Sequence, residues 1–242
     1  MKVMDASELY DPEFRKLIES KNPTIIIPVG SLEQHGAHLP ITTDSDIVTE
    51  IASRLGKKCD FIVFPTVSYG ISFEHAPFLQ VNIRLLSLLR DIISSLVINK
   101  IKSVIILNGH HGNVDTLERM EDGYQQPNPE PELKLDFKDV KIDFYSYWHF
   151  MKHEFDHAGF VETSLMLAIS DNVKMKKAKK GFTTKGLSEK EIQRIKKLST
   201  ELGGFPKVAK NGVWGDPTGA TKKDGEKFLA EIVRNLAKEC QT

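Results

Sequence analysis

The chain is predicted to be an α/β protein with a mostly parallel sheet. Short β-branched runs alternate with longer amphipathic stretches along its length, the pattern of strands joined by crossover helices. The 242 residues, 40% of them hydrophobic, can bury a full core in one large domain spanning residues 1–242. Neither an internal repeat nor a domain linker interrupts the alternation.

Residues 24–29, with Ile25, Ile26 and Ile27, read as a buried strand. Residues 45–55 read as a helix: Ile47, Ile51 and Leu55 share one face, and Gly56 suits its end. Residues 61–64 form a second strand, stopped by Pro65. Residues 84–98 are a helix with Leu85, Leu88, Leu89, Ile92 and Ile93 on one stripe. Residues 103–107 are a third buried strand, residues 108–113 a Gly-rich loop, and a helix starts over 114–120. Pro127, Pro129 and Pro131 exclude regular helix or central strand and mark a surface loop. Residues 140–147 give a fourth strand and 161–169 a short apolar helix. Residues 172–197 are rich in lysine and read as a solvated helix pair or a mobile excursion. An amphipathic helix over 222–238 closes the domain.

Composition narrows the function classes. Lys plus Arg equals Asp plus Glu at 33 each, which removes the electrostatic argument for a nucleic-acid protein. No apolar run approaches the roughly 18–20 residues that span a bilayer. The opening residues Met1 to Asp5 lack the basic and apolar regions of a signal peptide. Two cysteines, Cys59 and Cys240, are too few for a disulfide framework or a Cys-rich zinc site. A cytoplasmic enzyme is the expectation.

The chemistry concentrates after the first apolar strand. The stretch from Glu33 to Asp44 brings two carboxylates and two imidazoles, His35 and His38, into the loop leaving that strand. Carboxylate oxygens and imidazole nitrogens together suit a divalent metal, and strand-end loops of an α/β sheet are where such groups converge. All eight histidines lie between His35 and His157, most of them just past an expected strand. His110 and His111 stand in the loop Asn108-Gly109-His110-His111-Gly112-Asn113.

The segment from Pro28 to Pro40 with Asp44 after it, the 108–113 loop, His157-Ala158-Gly159-Phe160-Val161-Glu162 and Gly212-Val213-Trp214-Gly215-Asp216-Pro217 occur in this order. Together they resemble the creatininase (creatinine amidohydrolase) family. The resemblance implies a three-layer α/β/α sandwich, two divalent metal ions (Zn, Mn or Fe(II)) and hydrolysis of a non-peptide, or sometimes peptide, amide C–N bond through a dimetal-bound hydroxide. It also suggests a homo-oligomer such as a hexamer.

Carried over by residue, Glu33 and His110 would hold one metal, His35 the other, and Asp44 would bridge them. Glu162 is the candidate for a further ligand; the plainer alternative is a buried polar residue capping the 161–169 helix. His157 matches the family's catalytic imidazole, the alternative being an ordinary loop residue. Asp156 would orient His157 or contact the substrate, unless it is a solvated loop carboxylate. Ser72 and His75 lie in a loop that lines the pocket in the family, and simple loop polarity explains them equally well. His38 is expected to brace the metal loop, and His149 and His153 to be surface residues.

Three departures set the chain apart from creatininase itself. Gly112 stands where creatininase has a metal-binding glutamate. The region from His153 to His157 lacks a tryptophan that closes over creatinine. Phe78-Leu79-Gln80-Val81 replaces the family's Phe-Pro-Gly-Thr turn. Creatinine is therefore a weaker candidate than the substrate of another branch, a formamidopyrimidine-ribonucleotide deformylase of flavin and deazaflavin biosynthesis; a third branch trims a modified peptide. Rival classes are a non-catalytic metal-binding protein that keeps the fold and a nucleophilic hydrolase. The latter lacks a Gly-x-Ser-x-Gly elbow.

Overall fold

The computed structural model describes residues 4–79, 81, 83–124 and 140–240. Five strands, β1 (Met4–Asp5), β2 (Ile25–Val29), β3 (Ile62–Val63), β4 (Ser103–Asn108) and β5 (Lys141–Ser146), form one sheet in the order β1-β3-β2-β4-β5. Every pairing between these strands is parallel. The Pro-rich loop at residues 127–131 lies outside the described residues.

Alternation along the strands builds two cores. Ile26, Val63, Ile105 and Leu107 face one cluster, packed with Ile47, Ile51 and Leu55 of α2 (Thr43–Cys59), Leu165 of α5 (Phe160–Ile169) and Leu229 and Ile232 of α8 (Lys222–Glu239). Ile25, Ile27, Val29, Val104 and Ile106 face the other, packed with Ile18 of α1 (Asp11–Lys21), Leu89 and Ile93 of α3 (Leu85–Ile98) and Leu117 of α4 (Val114–Tyr124). Each fully buried aliphatic side chain contributes about 1.5–3 kcal/mol relative to exposure. The result is the expected three-layer α/β/α sandwich.

The elements depart from expectation at a few points, each with a local cause. Helix α2 runs past Gly56 to Cys59, and Asp60 (φ 60°) makes the left-handed turn that ends it. Gly56 serves packing instead: a Cβ there would stand 2.6 Å from Val63 Cγ2, so the glycine lets α2 approach β3 closely. The first strand and α1 went unpredicted. Helix α1 fully buries only Ile18, with Phe14 and Leu17 partly buried beside it, a short stripe in a largely charged segment. The lysine-rich region is not a helix pair. It holds a short 3₁₀ turn at Met175–Lys177 and one helix, α6 (Glu189–Ser199), which buries no residue and starts with a Ser188–Glu191 capping box.

The strand order fixes where the site lies. Strand β2 is followed by β3 on one side, and β4 joins it on the other. The chain therefore leaves β2 and β4 in opposite directions at their carboxyl ends, and that divergence opens a crevice.

Candidate metal centre

Four strand-end segments converge on this crevice. The loop after β2 carries Glu33 and His35 and leads into the first turn of α2, where Asp44 sits. A carboxylate there is favoured by the helix dipole. The loop after β4 carries His110, the loop after β3 carries Glu74 and His75, and the segment after β5 carries His157 and leads to Glu162 in the first turn of α5. Glu33, His35, Asp44, His110 and Glu162 are each at most 4% exposed.

Two glycines and two asparagines tie these loops together. Gly109 runs so close to α2 that a Cβ would lie 2.8 Å from the Asp44 carbonyl oxygen. Asn108 Oδ1 accepts from His110 N at 3.1 Å and from Asn113 Nδ2 at 3.2 Å. Asn113 in turn accepts from Ile71 N at 2.9 Å and donates to the Gly30 carbonyl at 3.1 Å. Gly70 lies under this bridge, where a Cβ would meet Asn113 Oδ1 at 2.8 Å.

Asp44 divides its carboxylate between two imidazoles. Oδ1 lies 3.1 Å from His35 Nε2, and Oδ2 lies 3.1 Å from His110 Nδ1. His35 Nε2 is also 3.4 Å from Glu162 Oε2. His110 Nδ1 is also 3.1 Å from Glu33 Oε2. His110 Nε2 donates to the Ile71 carbonyl at 2.8 Å, and in the neutral ring, the form that binds a metal, this leaves Nδ1 with a lone pair. That lone pair faces two carboxylate oxygens, and both, Glu33 Oε2 and Asp44 Oδ2, are buried without a hydrogen bond. Such a set is costly unless a cation lies among the three. The donor set thus fits a divalent ion: Glu33, His35 and Asp44, or Glu33, Glu74 and His110, or His35, His157 and Glu162, or Glu33, His75 and His157 each bring three donor atoms within 4.8 Å of one another.

The charge balance tells the same story. Burial lowers the His110 imidazole, but Glu33 and Asp44 outweigh it and push it up to about 10. Burial opposes ionisation of Asp44, yet His35 and His110 hold its carboxyl well below the usual carboxylate range. Glu33 is raised well above its ordinary value, chiefly by burial. The cluster takes up positive charge, which a bound metal supplies without protons.

His157 sits on the open side. Its Nε2 donates to the Gln34 carbonyl at 2.9 Å, and its Nδ1 lies 3.4 Å from Glu33 Oε1. Burial, then His35 and His75, hold it well below its ordinary value, so it is neutral. His75 Nε2 lies 3.3 Å from Glu33 Oε1, inside the same cluster. Phe205 closes the wall, with ring centroids 4.5 Å from His75 and 4.6 Å from His157.

The other expected residues take different places. Asp156 accepts from Val161 N at 2.9 Å and Glu162 N at 3.3 Å, so its carboxylate caps α5 rather than reaching the His157 ring. Burial and the neighbouring Glu162 push it up to about 7. Ser72 is buried with its hydroxyl donating to the Leu79 carbonyl at 3.2 Å. Glu162 accepts from Ala158 N at 2.6 Å, and its Oε2 faces His35 Nε2. His38 pairs with Thr163 Oγ1 at 2.9 Å and braces the loop against α5. His149 and His153 are exposed.

Sequence reasoning missed Glu74, which is buried beside His110. Its signal was available: it is the carboxylate next to His75 in the loop already singled out. Tyr147 was also missed; it is fully buried, and its hydroxyl has no hydrogen-bond partner.

The creatininase family model, described as creatinine amidohydrolase, matches residues 7–240. The mycofactocin precursor peptide peptidase of Mycolicibacterium smegmatis is 31% identical over 237 residues, covering 91% of this chain and 85% of that protein. A 2-amino-5-formylamino-6-ribosylaminopyrimidin-4(3H)-one 5'-monophosphate deformylase of Methanosphaera stadtmanae is 35% identical over 127 residues, covering 49% of this chain and 51% of that protein. Among solved structures, a zinc–zinc form of a mutant creatininase superposes with a TM-score of 0.76 at 22% identity, covering 99% of this chain and 97% of that one. The chain belongs to the creatininase family, whose members are metal-dependent amidohydrolases acting on carbon–nitrogen bonds.

Proposed function

We propose that the protein hydrolyses an amide C–N bond at a two-metal centre, and that the bond lies in a peptide-like substrate. The observation that carries the two-metal reading is the division of Asp44 between His35 and His110, each of which has a second carboxylate of its own. Similarity to a peptidase over nine-tenths of the chain supports the peptide class ahead of the formamide class favoured by the sequence motifs. A formamide substrate is the second reading, supported by the higher identity to a deformylase over half the chain.

Glu33, Asp44 and His110 would hold one ion and His35, Asp44 and Glu162 the other. When bound, two divalent ions lower the pKa of a shared water and polarise the amide carbonyl. The chain's own residues supply the rest. The Gln34 carbonyl fixes the tautomer of His157, leaving Nδ1 as the acceptor that faces the centre. A neutral imidazole there takes a proton at Nδ1 and returns it to the leaving nitrogen. Phe205 packs on His75 and His157 and keeps bulk water from that transfer. Zn, Mn and Fe(II) all suit this oxygen and nitrogen donor set. We place the enzyme in the cytoplasm and expect a homo-oligomer, which light scattering would test.

The test is a metal titration of Asp44→Asn beside a substrate panel of short peptides, the formamidopyrimidine ribonucleotide and creatinine. Loss of both ions, with turnover of peptides by the parent, is the expected result. An Asp44→Asn protein that bound two ions as tightly as the parent would end the two-metal reading.

A further inference from the structure

We propose that Glu74 is a ligand of the ion held by Glu33 and His110, reaching it through the space beside His110 that Gly112 leaves free. The inference rests on the two-metal reading above and adds a residue to it.

Glu74 reaches the centre from the loop after β3, opposite the His110 loop. It lies in the short 3₁₀ turn Phe73–His75 and is 8% exposed. Its Oε1 is 3.6 Å from His110 Nε2 and 4.0 Å from His75 Nε2. Its nearest contact with His110 is to the nitrogen that donates to the Ile71 carbonyl; what joins it to the metal donors is the group it forms with Glu33 and His110. One oxygen each from Glu33 and Glu74 and one nitrogen of His110 lie within 4.8 Å of one another. Donors on one ion with bonds of about 2.0–2.2 Å stand roughly 3–4 Å apart, so binding would draw such a set inward.

A second observation points to the same place. Glu33 Oε2 and Asp44 Oδ2 are fully buried and carry no hydrogen bond. With His110 Nδ1 they make three donors for the ion on this side, against three from His35, Asp44 and Glu162 on the other. Among the described residues, Glu74 is the one further buried carboxylate that groups with Glu33 and His110.

Gly112 completes the argument. A Cβ at that position would meet the Ile71 carbonyl and the His110 ring, and would stand 2.6 Å from Glu74 Oε1. The space beside His110 is thus claimed from the far wall by Glu74. The Ile71 carbonyl and the His110 ring bar a side chain at 112, and the Glu74 carboxylate lies in the space this leaves.

The experiment is equilibrium dialysis against buffered Mn(II), with metal content by mass spectrometry and Mn(II) paramagnetic resonance, on the parent, Glu74→Gln and Glu74→Ala. We expect two ions in the parent and a spin-coupled pair signal. Both variants should keep one ion at parent affinity, bind the other at least about tenfold more weakly, and give the signal of an isolated ion. Two ions at parent affinity in the variants would overturn the role of Glu74 while leaving the two-metal centre standing. Fewer than two ions in the parent would overturn the two-metal reading and Glu74 with it. Should Glu74→Ala fail to fold, the equal-sized Glu74→Gln decides.

Discussion

Asp156 holds Glu162 by its backbone: the Glu162 N–H donates to Asp156 Oδ1 at 3.3 Å, while Val161 donates to Oδ2 at 2.9 Å. The N-cap residue of α5, Gly159, has no side chain to do this work, so Asp156 supplies the cap from three residues upstream. The Glu162 carboxylate, aimed at His35, stands on the turn that Asp156 secures.

Asp156→Ala should therefore cost about 0.5–2 kcal/mol of stability in the metal-free protein, the range of a lost helix cap. Asp156→Asn keeps one acceptor oxygen and should cost less. Urea unfolding of the two variants measures both. Equal stability of Asp156→Ala and the parent would mean that the cap is not structural.

His157→Ala removes the neutral imidazole beside Glu33 without touching a carboxylate of either ion set. Turnover should fall by roughly 10²–10⁴, the usual share of a positioned proton donor and acceptor, while both ions remain. Metal content and kcat measured on the same preparation separate the two effects. Undiminished kcat would remove the shuttle role.

The layers and the metal loop were legible in the sequence because each follows from local pattern. Apolar runs such as residues 24–29 need no partner to be recognised as strands, and Glu33, His35 and Asp44 lie within one loop and the first turn of the helix it enters. What local pattern cannot carry is which distant segments share a wall. Glu74 stands beside His75 in sequence, but its place against His110 and Gly112, 36 and 38 residues further on, comes only with the fold. Asp156 was read as a partner of its neighbour His157 because adjacency in sequence is visible, whereas its bonds run forward to the turn of α5. Gly56 looked like a helix end because its packing against Val63 is invisible until α2 lies on β3.

Gly109→Ala tests the close approach that sets Asp44 against His110. The added methyl would stand 2.7 Å from Val48 Cβ and 2.8 Å from the Asp44 carbonyl oxygen, and both belong to the rigid start of α2. Relief requires α2 and the His110 loop to separate. Overpacking of this kind costs about 1–3 kcal/mol, and metal affinity should fall with stability because ligands stand on both sides of the contact. Calorimetric unfolding and a metal titration read the two together; a variant with parent stability and affinity would show that the loop yields freely.

The two cysteines give a pH prediction away from the metals. Burial, reinforced by Cys59 and Asp143, pushes the Cys240 thiol up to about 12 from an ordinary 9.0, and burial raises Cys59 as well. Below about pH 8 the thiol is almost wholly protonated in folded and unfolded chains alike and contributes little slope. Between pH 9 and about 12 the unfolded chain ionises this thiol while the folded chain retains the proton. The folded state then binds more protons, and stability falls as pH rises through that window. Cys240→Ala abolishes the difference, so its stability should decline less steeply than the parent's over the same range. Alkylation offers a second reading at pH 8, because the thiolate is the reactive form. Cys240 in the folded protein should react far more slowly than in denaturant. Equal rates in the two states would place the thiol in ordinary solvent and refute the burial that raises it.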